Sequence, residues 1–238
     1  TVQPTPRRAT SRAARVAIRM LTMPQLSANL SRPRSTTRAF GPDHPRVLTA
    51  SGPLLFVYLS TGQLGKADTL GVEVLRVARG ARAEQGGLYV QFLTTHASVL
   101  RRLGRLDEAE AELREALAIS TIRSATRSVP FGTLASVLAE KGDLGGAIAA
   151  QRESVTLLEE NGEGSPAFGR MKLAGFLRDA RRFAEAETEL LVVHRLLVEQ
   201  GESGGHQTVG SVAAEFVTLY EAWGRADEAA RWRARASG

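Results

Sequence analysis

The stretch Leu134–Ala150, LASVLAEKGDLGGAIAA, carries a pattern that recurs through most of the chain. Leu134 and Leu138 lie one helical turn apart, so they share a face. Gly142 then interrupts the run, and Leu144 and Ala147 restart it in helical spacing. That is a helix, a tight turn and a second helix. The same unit returns along the chain. The turn residue is Gly62, Gly104, Gly142 and Gly224, with Arg181 in the remaining slot, and successive markers stand 38–43 residues apart. Four residues before each marker come Tyr58, Leu100, Leu138, Leu177 and Tyr220; eight before come Leu54, His96, Leu134, Leu173 and Phe216. Two after come Leu64, Leu106, Leu144, Phe183 and Ala226, expected to open the buried face of each second helix. Five after come Ala67, Ala109, Ala147, Ala186 and Ala229. A methyl group there lets two helices approach closely where a larger side chain would separate them.

Along the rest of the chain the spacing predicts helix pairs over 46–61 with 64–80, 87–103 with 106–121, 129–141 with 144–160, 166–180 with 183–200, and 206–223 with 226–236. Gly41-Pro42, Gly86-Gly87, Pro130, Gly162 to Pro166 and Gly201 to Gly205 supply the breaks between pairs. Ser165-Pro166 reads as a cap followed by proline at the first helical position. Pro53 removes an amide donor from the first helix, so a start at Pro53 itself, with Ser51 as its cap, is the alternative to a start at 46. Each turn glycine is expected in the left-handed conformation that ends a helix, and Arg181 marks a strained or differently built turn. The expected fold is all-α: an α-α superhelix, a solenoid of about five helix-turn-helix repeats over residues 41–238. Repeats two to four read as the sound ones, and repeat five as a cap. A stacked array of this kind is a binding surface rather than a catalyst.

Composition agrees. Apolar residues make up 43% of the 238 and aromatics 5%, which suits thin layers of Ala, Leu and Val. The absence of cysteine excludes disulfides and thiolate chemistry and is compatible with a cytoplasmic location. No apolar run approaches a membrane span. The chain starts at Thr1 and is read as a fragment or processed product. The net charge of +6 is unevenly spread. Residues 1–40 hold eight arginines and no acid, leaving 23 basic against 25 acidic groups for the rest. This Arg/Ser/Pro-rich extension has three readings: a disordered segment, a degenerate preceding repeat, or an organelle presequence. A nucleic-acid groove along the repeats is disfavoured.

A turn glycine, a leucine or aromatic two later and an alanine five later resemble the tetratricopeptide repeat. The long period resembles the kinesin-light-chain-like variant found in many bacterial arrays. GPDHP at 41–45 is similar to their inter-repeat loop, and LYEAWGRADEAARW from Leu219 to Trp232 to their closing repeat. The resemblance implies a signalling or scaffolding role. It also implies an alternative, because such arrays form the C-terminal half of bacterial serine/threonine protein kinases; the catalytic domain would then lie upstream of this chain. Departures are clear. Leu55 and Val217 stand where the family has Gly or Ala, beside Ala97, Ala135 and Ala174. The family's paired asparagines, ten and nine before the marker, are replaced by Gly52-Pro53, Thr94-Thr95, Gly132-Thr133, Met171-Lys172 and Ala214-Glu215. That argues against an asparagine ladder holding a peptide backbone.

No catalytic pattern emerges, so no enzyme activity, cofactor or small-molecule substrate is expected of this chain. GEGSPAFG at 162–169 lacks the P-loop lysine and reads as a turn. No HRD or DFG kinase signature occurs. His44, His96, His194 and His206 form no ligand pair, and His96 falls in a core column. The acidic run Asp107–Glu115 reads as a solvated face with a Glu110–Arg114 pair. Trp223 and Trp232 are expected to pack the terminal layer.

In the solenoid reading, residues thirteen, ten, six and three before each marker line a concave groove. The candidate binding residues are Gln91, Thr94, Ser98, Arg101, Ser136, Met171, Arg178 and Thr218. The same columns hold Val129, Gly132, Ala139, Phe168, Gly175, Ser211, Ala214 and Glu221. The expected partner is a protein or peptide, acidic or C-terminal, with Arg101 and Arg178 as carboxylate anchors.

Overall fold

The computed structural model describes residues 46–80, 86–119, 124–161, 166–199 and 208–236. The basic extension, the GPDHP loop, His44, Ser165 and His206 lie outside them. The described residues form ten α-helices and no strand. They are α1 (Arg46–Ser60), α2 (Leu64–Gly80), α3 (Gly86–Arg102), α4 (Leu106–Ala118), α5 (Ser124–Glu140), α6 (Leu144–Asn161), α7 (Ala167–Asp179), α8 (Phe183–Glu199), α9 (Val209–Trp223) and α10 (Ala226–Ala236). The chain divides into two compact units, Thr1–Leu103 and Gly104–Gly238. In the first, α1 packs on α2 and α2 on α3. In the second, each helix from α4 to α10 packs on the next.

All five markers take the left-handed conformation. Gly62, Gly104, Gly142 and Gly224 have φ of 75°, 77°, 88° and 78°, and Arg181 has 59°. In four turns the amide after the marker reaches the carbonyl five residues back: Gln63 to Tyr58 at 2.9 Å, Asp143 to Leu138 at 2.9 Å, Arg182 to Leu177 at 2.8 Å and Arg225 to Tyr220 at 2.9 Å. This bond closes a helix end whose carbonyls would otherwise lack donors. Leu138, Leu177 and Tyr220 therefore contribute a buried side chain and a turn acceptor together, and the half-buried Tyr58 supplies the same acceptor. Arginine meets the same geometry at a cost of about 1 kcal/mol relative to glycine, from crowding at its Cβ.

The alanine column lies at the heart of the packing. Ala67, Ala109, Ala147 and Ala186 are 0% exposed and Ala229 is 2% exposed. Each alanine amide donates to the carbonyl of the residue after the marker, at 3.0–3.1 Å, which makes that residue the start of the second helix. Its side chain clamps the first turn. Arg105 bonds Glu108 at 2.7 and 2.6 Å. Arg182 bonds Glu185 at 2.6 and 2.7 Å. Arg225 bonds Glu228 through Nε at 2.9 Å. Asp143 Oδ1 accepts the Gly146 amide at 2.8 Å, and Lys66 donates to Gln63 at 2.9 Å. Exposed pairs of this sort are worth a few tenths of a kcal/mol each, so they mark register more than they hold the fold.

Several expectations are corrected. Pro53 lies inside α1, which begins seven residues earlier, and Ser51 is fully buried within the helix rather than capping it. The exposed proline ring needs no core space, and burial of Leu48 and Leu55 offsets its lost backbone bond. Pro130 is likewise no break, because α5 starts at Ser124 and runs through it. Helix α7 begins after Pro166, which occupies the cap position itself. Ala226 is exposed, and α10 buries Ala229 and Trp232 instead. The acidic run is not wholly solvated. Glu110 is 7% exposed and is paired with Lys141 at 2.6 Å and Arg114 at 2.5 Å.

The last layer is aromatic. Trp232 stacks on Phe216 with centroids 3.9 Å apart, and His194 meets Trp232 edge-on at 5.3 Å. The buried Tyr220 hydroxyl donates to Glu187. Burial first, then the bond to Glu187, pushes its pKa up to about 12.

Candidate partner-binding surface

The candidate residues fall into two groups, one per unit. In the first unit all four belong to α3. Gln91 is exposed, and Ser98 and Arg101 are half-buried. Thr94 is a correction. It is 7% exposed and its hydroxyl donates to Val90 O at 2.7 Å, so it is part of the packing rather than of an accessible lining.

In the second unit, Phe168, Met171, Gly175 and Arg178 of α7 and Ser211 of α9 line one depression of about 420 Å³, together with Lys172, Phe176, Asp179 and Glu215. Helical spacing brings the α7 residues to a common face. Phe168 is 59% exposed and Val129, in the same column of α5, 63%. Phe56, Val72, Leu103, Leu191 and Val198 are exposed as well, and Phe168 is the one of these apolar groups that borders the depression.

The electrostatics of the depression are balanced from within. Arg178 pairs with Asp179 at 2.9 Å and reaches Glu215 at 3.6 Å. Its charge is thus already engaged, which corrects the picture of an open carboxylate anchor. Lys172 Nζ donates to Gly132 O at 3.0 Å and to Ser136 Oγ at 2.7 Å, joining α7 to α5. The hydroxyls are engaged too. Ser98, Ser136 and Thr218 donate to the carbonyls of Thr94, Gly132 and Ala214 at 3.0–3.1 Å. They retain lone pairs for a ligand but not protons.

Lys172, Phe176, Asp179 and Glu215 were not among the sequence candidates. Lys172 and Glu215 stand in the column nine before the marker, and a lysine and a glutamate there in successive repeats are the sequence signal that points to them. No group of three His, Asp or Glu side chains that could hold a metal occurs among the described residues. No helix among them is long and apolar enough to cross a membrane.

These features define a fold of helix-turn-helix pairs, and comparison with known proteins finds the same fold in proteins with tetratricopeptide-like repeats. Residues 96–122, which include the Gly104 turn and Ala109, match the tetratricopeptide repeat family model. The fold is similar to that of BtubC from P. vanneervenii, with a TM-score of 0.72 at 16% identity over 96% of this chain and 91% of that one. It is similar to a putative kinesin light chain of Podosopora anserina with nearly identical TPR-like repeats. There the TM-score is 0.69 at 21% identity, over 82% of this chain and 95% of the other. A third similar structure is YrrB, a TPR protein with an unusual peptide-binding site. Its TM-score is 0.55 at 14% identity, covering 86% of this chain and 90% of that one. No curated protein matches the sequence.

Proposed function

We propose that this chain is a non-catalytic scaffold whose second unit holds a segment of a partner protein across α7 and α9. The observation that carries the reading is the depression itself: an exposed Phe168 at a concave site floored by Met171 and Gly175, with four charged groups around it. Small side chains leave space, apolar ones supply the driving force, and charges fix orientation. An apolar side chain of the partner seats against Phe168 and Met171. A side-chain or terminal carboxylate of the same segment takes the place of Glu215 against Arg178, whose 3.6 Å contact is long enough to exchange.

The support is geometric, and it favours an apolar anchor over an asparagine ladder. The test is affinity for a recovered partner. Met171→Glu should weaken binding at least tenfold, and Arg178→Ala should weaken it less. Unchanged affinity in Met171→Glu would remove the reading.

A further inference from the structure

The five turns share one design, and Arg181 alone among the described residues keeps a side chain in it. That arginine is exposed and makes no ion pair among the described residues; its contact is with the Phe183 ring, 5.9 Å from the guanidinium carbon. This lies at the outer limit of a cation–π interaction. The fold thus gains little from a residue that strains its turn, and strain kept without a structural return points to a use elsewhere.

The surroundings say what that use is. Phe183 stacks on Trp223 with centroids 5.6 Å apart and planes 22° apart, and both rings remain half-buried. Arg225 lies 4.7 Å over Trp223. The edge formed by these two turns therefore presents arginine, two stacked rings and arginine. Trp and Arg are the residues on which interfaces most often depend. The two arginines differ. Arg225 is neutralised by Glu228 and faces Glu187, whereas Arg181 has no such partner among the described residues. The residues from Gly104 to Gly238 hold 16 basic and 21 acidic groups, an excess that opposes a polyphosphate but not one carboxylate.

We infer that this edge is a second interaction surface, separate from the α7–α9 depression. It takes a protein segment that carries a carboxylate beside an aromatic side chain. Arg181 binds the carboxylate through paired donors, and Phe183 and Trp223 form the stacking platform.

The test uses the full chain and the indole N–H signals of its two tryptophans. The probes are acetyl-Glu-Phe-Glu-amide, acetyl-Lys-Phe-Lys-amide and an oligouridylate. The glutamate peptide should move the Trp223 signal saturably and leave the buried Trp232 signal in place. The lysine peptide should move neither. Arg181→Gly should raise the melting temperature by about 2–4 °C while costing about tenfold in peptide affinity. A lower melting temperature would make Arg181 a structural residue and overturn the inference. So would unchanged peptide affinity, or a larger Trp223 response to the oligouridylate than to the peptide.

Discussion

Gly71 lies directly against the His96 imidazole: a methyl group at residue 71 would fall 2.1 Å from His96 Cδ2. The imidazole cannot retreat freely. His96 is 2% exposed, and its Nε2 meets Asp68 Oδ1 at 3.1 Å. Gly71→Ala should therefore destabilise the protein by about 1–3 kcal/mol, although alanine is the better helix former. Urea unfolding measures this. Because the cost arises from the clash with the ring, His96→Ala should relieve most of it, and the double variant should be far from additive.

The alanine column makes a second prediction. Ala186 is fully buried where α7 and α8 close on each other, while Ala184 two residues earlier is exposed. Ala186→Leu should cost about 1–3 kcal/mol and Ala184→Leu less than about 0.5 kcal/mol, by denaturant unfolding. Equal effects would show that the column does not set the helix spacing.

Tyr220 supplies a prediction in pH. Its folded pKa is raised from 10.0 to about 12, so the native state holds the phenolic proton more tightly than the unfolded chain. The associated stability is fully present below pH 10 and is lost as pH rises through 12. An ultraviolet titration should show one of the three tyrosines ionising near 12, and Tyr220→Phe should remove that step. The acid side has the opposite sign. The bond to Arg182 lowers the pKa of Glu185, and the bond to Lys141 lowers that of Asp107, so their contributions fade as pH falls through those lowered values.

Much of this architecture was legible because repetition turns single residues into columns. Ala67 alone means little, but five alanines five residues past five turns specify where helices meet. The left-handed turns follow from four glycines, and Arg181 stands out by sharing their column. The prolines misled because their backbone penalty is local, whereas burial around Leu55 and Leu134 is summed over a whole helix. The candidate surface was only partly legible. Column spacing placed Phe168, Met171, Gly175 and Arg178 on one face but could not show that Glu215 already occupies Arg178. Nor could it show that Thr94 turns its hydroxyl to its own helix. Those depend on rotamers and on neighbours a repeat away.

Photo-crosslinking from the α7 surface tests whether a partner occupies the depression. A benzophenone amino acid at position 168 should give a discrete adduct with a partner in cells, and the same group at the exposed position 198 of α8 should not. A Cβ at Gly175 meets open space, so Gly175→Trp fills the depression without a clash, and it should abolish the adduct while the helical signal stays unchanged. Equal crosslinking from positions 168 and 198, or an adduct that survives Gly175→Trp, would contradict the assignment of this depression as the partner site.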